Sequence, residues 1–76
     1  SKIEGIKEAL KFYDIKLEEA IAFGDSWNDL EMLEGIGIGV AMGNGNDDIK
    51  GQADYVTDTN DLDGIYKALV HFQVIK

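Results

Sequence analysis

Hydrophobic positions along the chain follow two rhythms. Ile3, Ile6, Leu10 and Tyr13 recur at helical spacing, so residues 2–13 read as an amphipathic helix, with Ser1 and Glu4 in the capping-box arrangement at its start. After a polar connection from Asp14 to Glu19 comes the continuous apolar run Ala20-Ile21-Ala22-Phe23, which reads as a strand. The run stops at Gly24, which permits a sharp turn, and Ser26 is placed to cap a helix through Leu30, Met32 and Leu33. Gly35 is placed to end that helix in the left-handed conformation. Ile38-Gly39-Val40-Ala41-Met42 reads as a second strand, and Gly43-Asn44-Gly45 as the loop after it. Asn46 opens a short helix carrying Ile49, and Ala53 to Thr57 form a third strand. Asn60, Asp61 and Asp63 then open a last helix with Leu62, Ile65, Tyr66, Leu69 and Phe72 on one face. Strands alternating with helices predict an α/β fold with a parallel sheet.

Composition narrows the classes of function. A chain of 76 residues makes at most one small domain, and with no proline and no repeat nothing divides it. No apolar run is long enough to cross a membrane, and no signal-peptide pattern is present. The absence of cysteine removes disulfides, thiolate metal sites and thiol nucleophiles together, and the cytoplasm is the expected compartment. Fifteen acidic residues against seven lysines give a formal charge of −8, which repels nucleic acid and anionic lipid, so neither is an expected partner.

The candidate chemistry gathers where the first strand ends. Ligands of open parallel sheets bind beyond the carboxyl ends of the strands, and Gly24-Asp25-Ser26-Trp27-Asn28-Asp29 begins there. Asp25 and Asp29, four residues apart, can share one hard cation. Magnesium fits, since it takes one or two protein carboxylates and completes its shell with water and phosphate oxygens. Asn28 can donate a hydrogen bond to a phosphate. The competing reading is that both acids simply favour the positive end of the helix. Asn44 would lie in the neighbouring loop, either as a phosphate-side group or as a turn former. Lys2 opposes the dipole of its own helix, which leaves it either placed for an anion or exposed for solubility.

Several other features point nowhere. Asp61-Leu62-Asp63-Gly64 has the spacing of an aspartate nucleophile loop, but no apolar strand precedes it, so its acids read as helix N-terminal. The same stretch lacks the ligands of a calcium loop. His71 is the sole histidine and has no partner for a triad or zinc site. The glycines form neither a dinucleotide fingerprint nor a P-loop. Trp27 and Phe23 could line a pocket, but covering the core is the expected task.

These residues together carry a family resemblance. Ser1-Lys2 with Gly5-Ile6 resembles the lysine motif of haloacid dehalogenase (HAD) superfamily phosphatases of the Cof-like branch, and Ile21-Ala22-Phe23-Gly24-Asp25-Ser26-Trp27-Asn28-Asp29 resembles their acidic motif. Leu30-Glu31-Met32-Leu33, Gly39-Val40-Ala41-Met42-Gly43-Asn44, Ala53-Asp54-Tyr55-Val56-Thr57 and Asp63-Gly64-Ile65 continue the pattern in order. The resemblance implies a three-layer Rossmann-like sheet and Mg2+-dependent hydrolysis of small phosphate esters, such as sugar or cofactor phosphates, through an aspartyl-phosphate. It implies that Asp25 ligates the metal, Asn28 contacts the phosphoryl group and Asp29 supports both the metal's water and the lysine. Lys2 would neutralise charge on phosphate and nucleophile, which accounts for its awkward place in the helix.

The departures from the family are large. The strand with the D-x-D-G-T nucleophile loop, the serine or threonine motif and the cap domain are not in this sequence. Residues 1–76 are therefore expected to be a C-terminal piece of a HAD core domain, inactive alone. Without its usual neighbour, the strand over residues 20–23 would present an apolar edge that pairs with the missing N-terminal part or self-associates. Two alternatives stay open: the phosphorylation domain of a P-type ion pump, against which Leu30 stands where the pumps carry proline, and a small non-catalytic α/β interaction module.

Overall fold

The computed structural model describes residues 2–74, with side chains from Ile3 onward, so the expected cap at Ser1 lies outside the described residues. Helix α1 (Lys2–Phe12) leads through a 3-10 turn at Leu17–Glu19 into strand β1 (Ile21–Gly24). A second 3-10 turn (Trp27–Asp29) runs directly into α2 (Leu30–Gly35), and β2 (Ile38–Ala41), α3 (Asp47–Gln52) and β3 (Tyr55–Val56) follow. A third 3-10 turn (Asn60–Leu62) precedes α4 (Gly64–His71). The strands lie in the order β1-β2-β3, all parallel, with Ala22 beside Gly39, Phe23 beside Val40 and Val40 beside Tyr55.

The pleat sorts the apolar residues onto two faces. Ala22 and Ala41 join Met32, Leu33 and Ile36 around α2 and Ile49 of α3 in one core, against which Ile6 and Leu10 of α1 pack. Helix α2 sits so close that a Cβ on Gly39 would lie 2.4 Å from the Leu33 carbonyl oxygen, a contact that no side-chain rotation relieves. Phe23, Val40 and Tyr55 share the opposite face. There the Tyr55 ring stacks on His71 at 4.1 Å and meets Phe72 edge-on at 5.3 Å, which places α4 over that side. Helices thus flank the sheet on both faces, in the expected α/β arrangement of three parallel strands. His71 stays exposed, its ring used in this stacking contact.

The structure corrects several local expectations. Gly35 does not cap α2 in a left-handed conformation, since no described glycine has positive φ and the chain leaves through Ile36 with extended backbone. Its lack of a side chain instead admits Ile3, whose Cδ1 would stand 3.2 Å from a Cβ there. The left-handed ends belong to α1 and α4, at Asp14 (φ 56) and Gln73 (φ 62). At the first, Asp14 N–H donates to Lys11 O and Ile15 N–H to Leu10 O, a Schellman motif that leaves Tyr13 70% exposed rather than in the core.

The face of helix α4 turns in only partly as expected: Leu69 and Phe72 are half-buried, but Leu62, Ile65 and Tyr66 are exposed, and Gly64 and Ala68 are buried. Small residues win because the connection is tight: a Cβ on Gly64 would lie 2.0 Å from Asp58 O, and buried Thr57 donates its hydroxyl to Gly64 O at 2.7 Å. Asp63 stands at the N-cap of α4, as a helix N-terminal acid, but in left-handed backbone (φ 58) and with no capping hydrogen bond from its side chain. The third strand is only two residues long, but backbone bonds flank it, from Asp54 N–H to Gly39 O at 2.8 Å and from Thr57 N–H to Ala41 O at 2.9 Å, and the Asp54 carboxylate accepts Gly39 N–H at 2.7 Å. Thr57→Val keeps the shape and removes the hydroxyl that donates to the Gly64 carbonyl. It is expected to cost about 1 to 2 kcal/mol, read as a lower urea midpoint at unchanged slope.

Candidate active site

Four features of the sequence place the acidic loop. The apolar β1 ends at buried Gly24, where a Cβ would lie 2.5 Å from the Asp29 Cβ, so only glycine lets the loop fold back. Ser26 takes extended backbone (φ −132, ψ 170) and starts the 3-10 turn. Asp29, third in that turn and 7% exposed, reaches back over it. Its Oδ2 accepts Asp25 N–H at 3.1 Å, Ser26 N–H at 3.3 Å and the Ser26 hydroxyl at 3.3 Å. One carboxylate thereby organises the loop, and Ser26, expected only as a cap, becomes one of its partners.

The other members of the motif face solvent. Asp25 and Asn28 are exposed, and the Asp25 carboxylate has no hydrogen bond or ion pair among the described residues. Trp27 is 63% exposed, so it does not cover the core as expected but stands beside Asn28 on the rim. No spacing rule separates a core tryptophan from a rim one; the 3-10 start of the helix, which shifts its face, decides it.

The second loop lies beside the first. Met42 N–H donates to Gly24 O at 2.9 Å, and a Cβ on Gly45 would lie 3.3 Å from the Asp25 Cα. Asn44 is exposed in that loop, and its Oδ1 accepts Asn60 N–H at 3.4 Å, tying the loop to the connection after β3. Asn46 caps α3, its Oδ1 accepting Ile49 N–H at 2.9 Å. Lys2 stands in the first turn of α1, but its side chain lies outside the described residues. The structure therefore brings Asp25, Asn28, Asp29 and the Asn44 loop to one end of the sheet.

As a metal site the donor set is sparse. Among the described residues no three His, Cys, Asp or Glu side chains group to enclose an ion, which rules against a closed cage built from them. A cation that keeps most of its water and shares a phosphate ligand needs only one or two carboxylates, and exposed Asp25 beside buried Asp29 suits that demand.

The profile of haloacid dehalogenase-like hydrolases matches residues 1–69. The chain belongs to that family. It is 52% identical over 56 residues to the 5-amino-6-(5-phospho-D-ribitylamino)uracil phosphatase YcsE of Bacillus subtilis, covering 74% of this chain and 22% of that protein. It is 43% identical over 75 residues to an uncharacterized protein from the pdhA 5' region of Geobacillus stearothermophilus, covering 99% of this chain and 79% of the other. The solved structure of the HAD subclass IIB sugar phosphatase BT4131 superposes with a TM-score of 0.96 at 51% identity, over 99% of this chain and 29% of that one. This HAD chain spans 21% to 30% of the length of the first five curated relatives that it matches, all of them named as phosphatases.

Proposed function

We propose that residues 1–76 are a partial HAD core domain that supplies the metal- and phosphate-binding half of a phosphomonoester hydrolase. The observation that carries this reading is the division of labour between the two aspartates: Asp29 is buried and holds the loop, while Asp25 is exposed with its carboxylate uncommitted among the described residues. Asp25, with Asp29 behind it, would hold Mg2+. The ion, when bound, draws charge from phosphate oxygens. Asn28 would donate to the phosphoryl group, Asn44 would border it from the neighbouring loop, and Lys2 would offset its charge.

The aspartate nucleophile must come from a strand that this sequence does not contain. β1 is an edge of the sheet, and a parallel strand laid beside it would end next to Asp25. Alone, the chain is inactive and offers that edge to the complementary part or to a second copy. The substrate is a small phosphorylated metabolite, a sugar or cofactor phosphate, as the names of YcsE and BT4131 suggest; the cytoplasm is the compartment proposed for it, from the absence of cysteine in the sequence. Among the described residues no helix is long and apolar enough to cross a membrane.

The test is complementation. The chain is assayed on an aryl phosphate alone and joined to the nucleophile-bearing remainder of a relative, each with and without Mg2+. Turnover is expected only in the joined, Mg2+-supplied protein. Turnover by the 76-residue chain alone, or none from a folded joined protein, would overturn the reading.

A further inference from the structure

A groove lies at the other end of the sheet from the acidic loop. Lys7, Lys11 and Lys16 surround Leu10, Ile15 and Leu17 in a groove of about 290 Å³, near the lower limit for small-molecule clefts. Gly37 N–H donates to Leu17 O and Ile38 N–H to Ala20 O, which sets this segment at the amino end of β2, the opposite end of the strands from the acidic loop.

The charge there runs against the rest of the molecule. The chain carries −8, yet three of the five lysines with described side chains line this one groove. The helix dipole accounts for Lys11, in the last turn, but not for Lys7 in mid-helix or Lys16 beyond the end. Lys7 and Lys11, four apart on the helix, repel one another. Lys7 has a partial partner in Glu4 at 3.8 Å, and Lys11 and Lys16 have no ion pair among the described residues. Asp14 is the single acid on the lining. The Schellman motif fixes the floor by bonding Ile15 to Leu10 at 2.8 Å, so the apolar surface is part of the fold and not of a loose loop.

We infer that this groove binds a small organic anion with an apolar body, its anionic head among the three lysines and its body on Leu10, Ile15 and Leu17. Cations alone would take any anion, and an apolar floor alone any hydrocarbon; the pairing selects a molecule that has both. The site is independent of the phosphatase reading.

An amide NMR titration of the chain with hexyl phosphate, inorganic phosphate and hexanol tests it. Hexyl phosphate is expected to give saturable shifts across residues 7–17, with the two half-ligands each binding at least about tenfold more weakly there. The double variant Lys11→Gln, Lys16→Gln is expected to lose about tenfold in hexyl phosphate affinity, and Lys50→Gln, outside the groove, to lose none. Shifts confined to the Asp25 loop, equal binding of hexanol, insensitivity to the double variant, or tighter binding of an acidic leucine-containing peptide would each overturn the inference.

Discussion

Asp29→Ala is expected to destabilise the chain by about 3 kcal/mol, because a carboxylate accepting several hydrogen bonds in a nearly dry site is lost and its donors stay behind. The donors are Asp25 N–H, Ser26 N–H and the Ser26 hydroxyl, all in a part-buried loop. For a domain of this size such a loss is a large share of a total of roughly 4 to 11 kcal/mol, and it lowers the melting temperature by roughly 12 to 24 °C. Asp29→Asn keeps one acceptor oxygen without the charge and is expected to lose about half as much. Urea unfolding of the three proteins decides the point. An Asp29→Ala cost below about 1 kcal/mol is what a mere helix-dipole acid would give, and would mean that the loop does not depend on this carboxylate.

The split between the two aspartates shows how far the sequence could be read. Spacing put Asp25 and Asp29 at the carboxyl end of a strand, and that is where both stand. It could not say that Asp29 turns back into the loop, because that depends on Gly24, where any Cβ would collide with Asp29. The strands were legible for a similar reason: Ala22, Val40 and Ala41 are buried between helices, and buried strands are continuous apolar runs. The last helix was not. Its apolar stripe through Leu62, Ile65, Tyr66, Leu69 and Phe72 has the right period, yet only Leu69 and Phe72 are half-buried while Gly64 and Ala68 are buried; at Gly64 the tie from Thr57 and the nearby Asp58 carbonyl leave no room for a larger residue. Periodicity reports which residues could face a core; it does not report how near the core lies. Glycine misled in the same way at Gly35, where space for Ile3, not freedom of φ, was the requirement.

Asp25→Asn tests the other half of the division. In the protein joined to its nucleophile-bearing part, the change is expected to lower Mg2+-dependent turnover by about 10³-fold, since it removes the charged oxygen proposed to hold the ion. Stability should stay within about 0.5 kcal/mol, because the Asp25 side chain is exposed and uncommitted among the described residues. Raising Mg2+ should recover part of the loss, as weakened binding is overcome by mass action. This pattern is the reverse of that expected for Asp29→Ala, which falls first on folding. If Asp25→Asn left both turnover and its Mg2+ dependence unchanged, the exposed aspartate would be surface charge, and the metal would have to be held by residues of the joined part. If it unfolded the protein, the roles given to the two carboxylates would have to be exchanged.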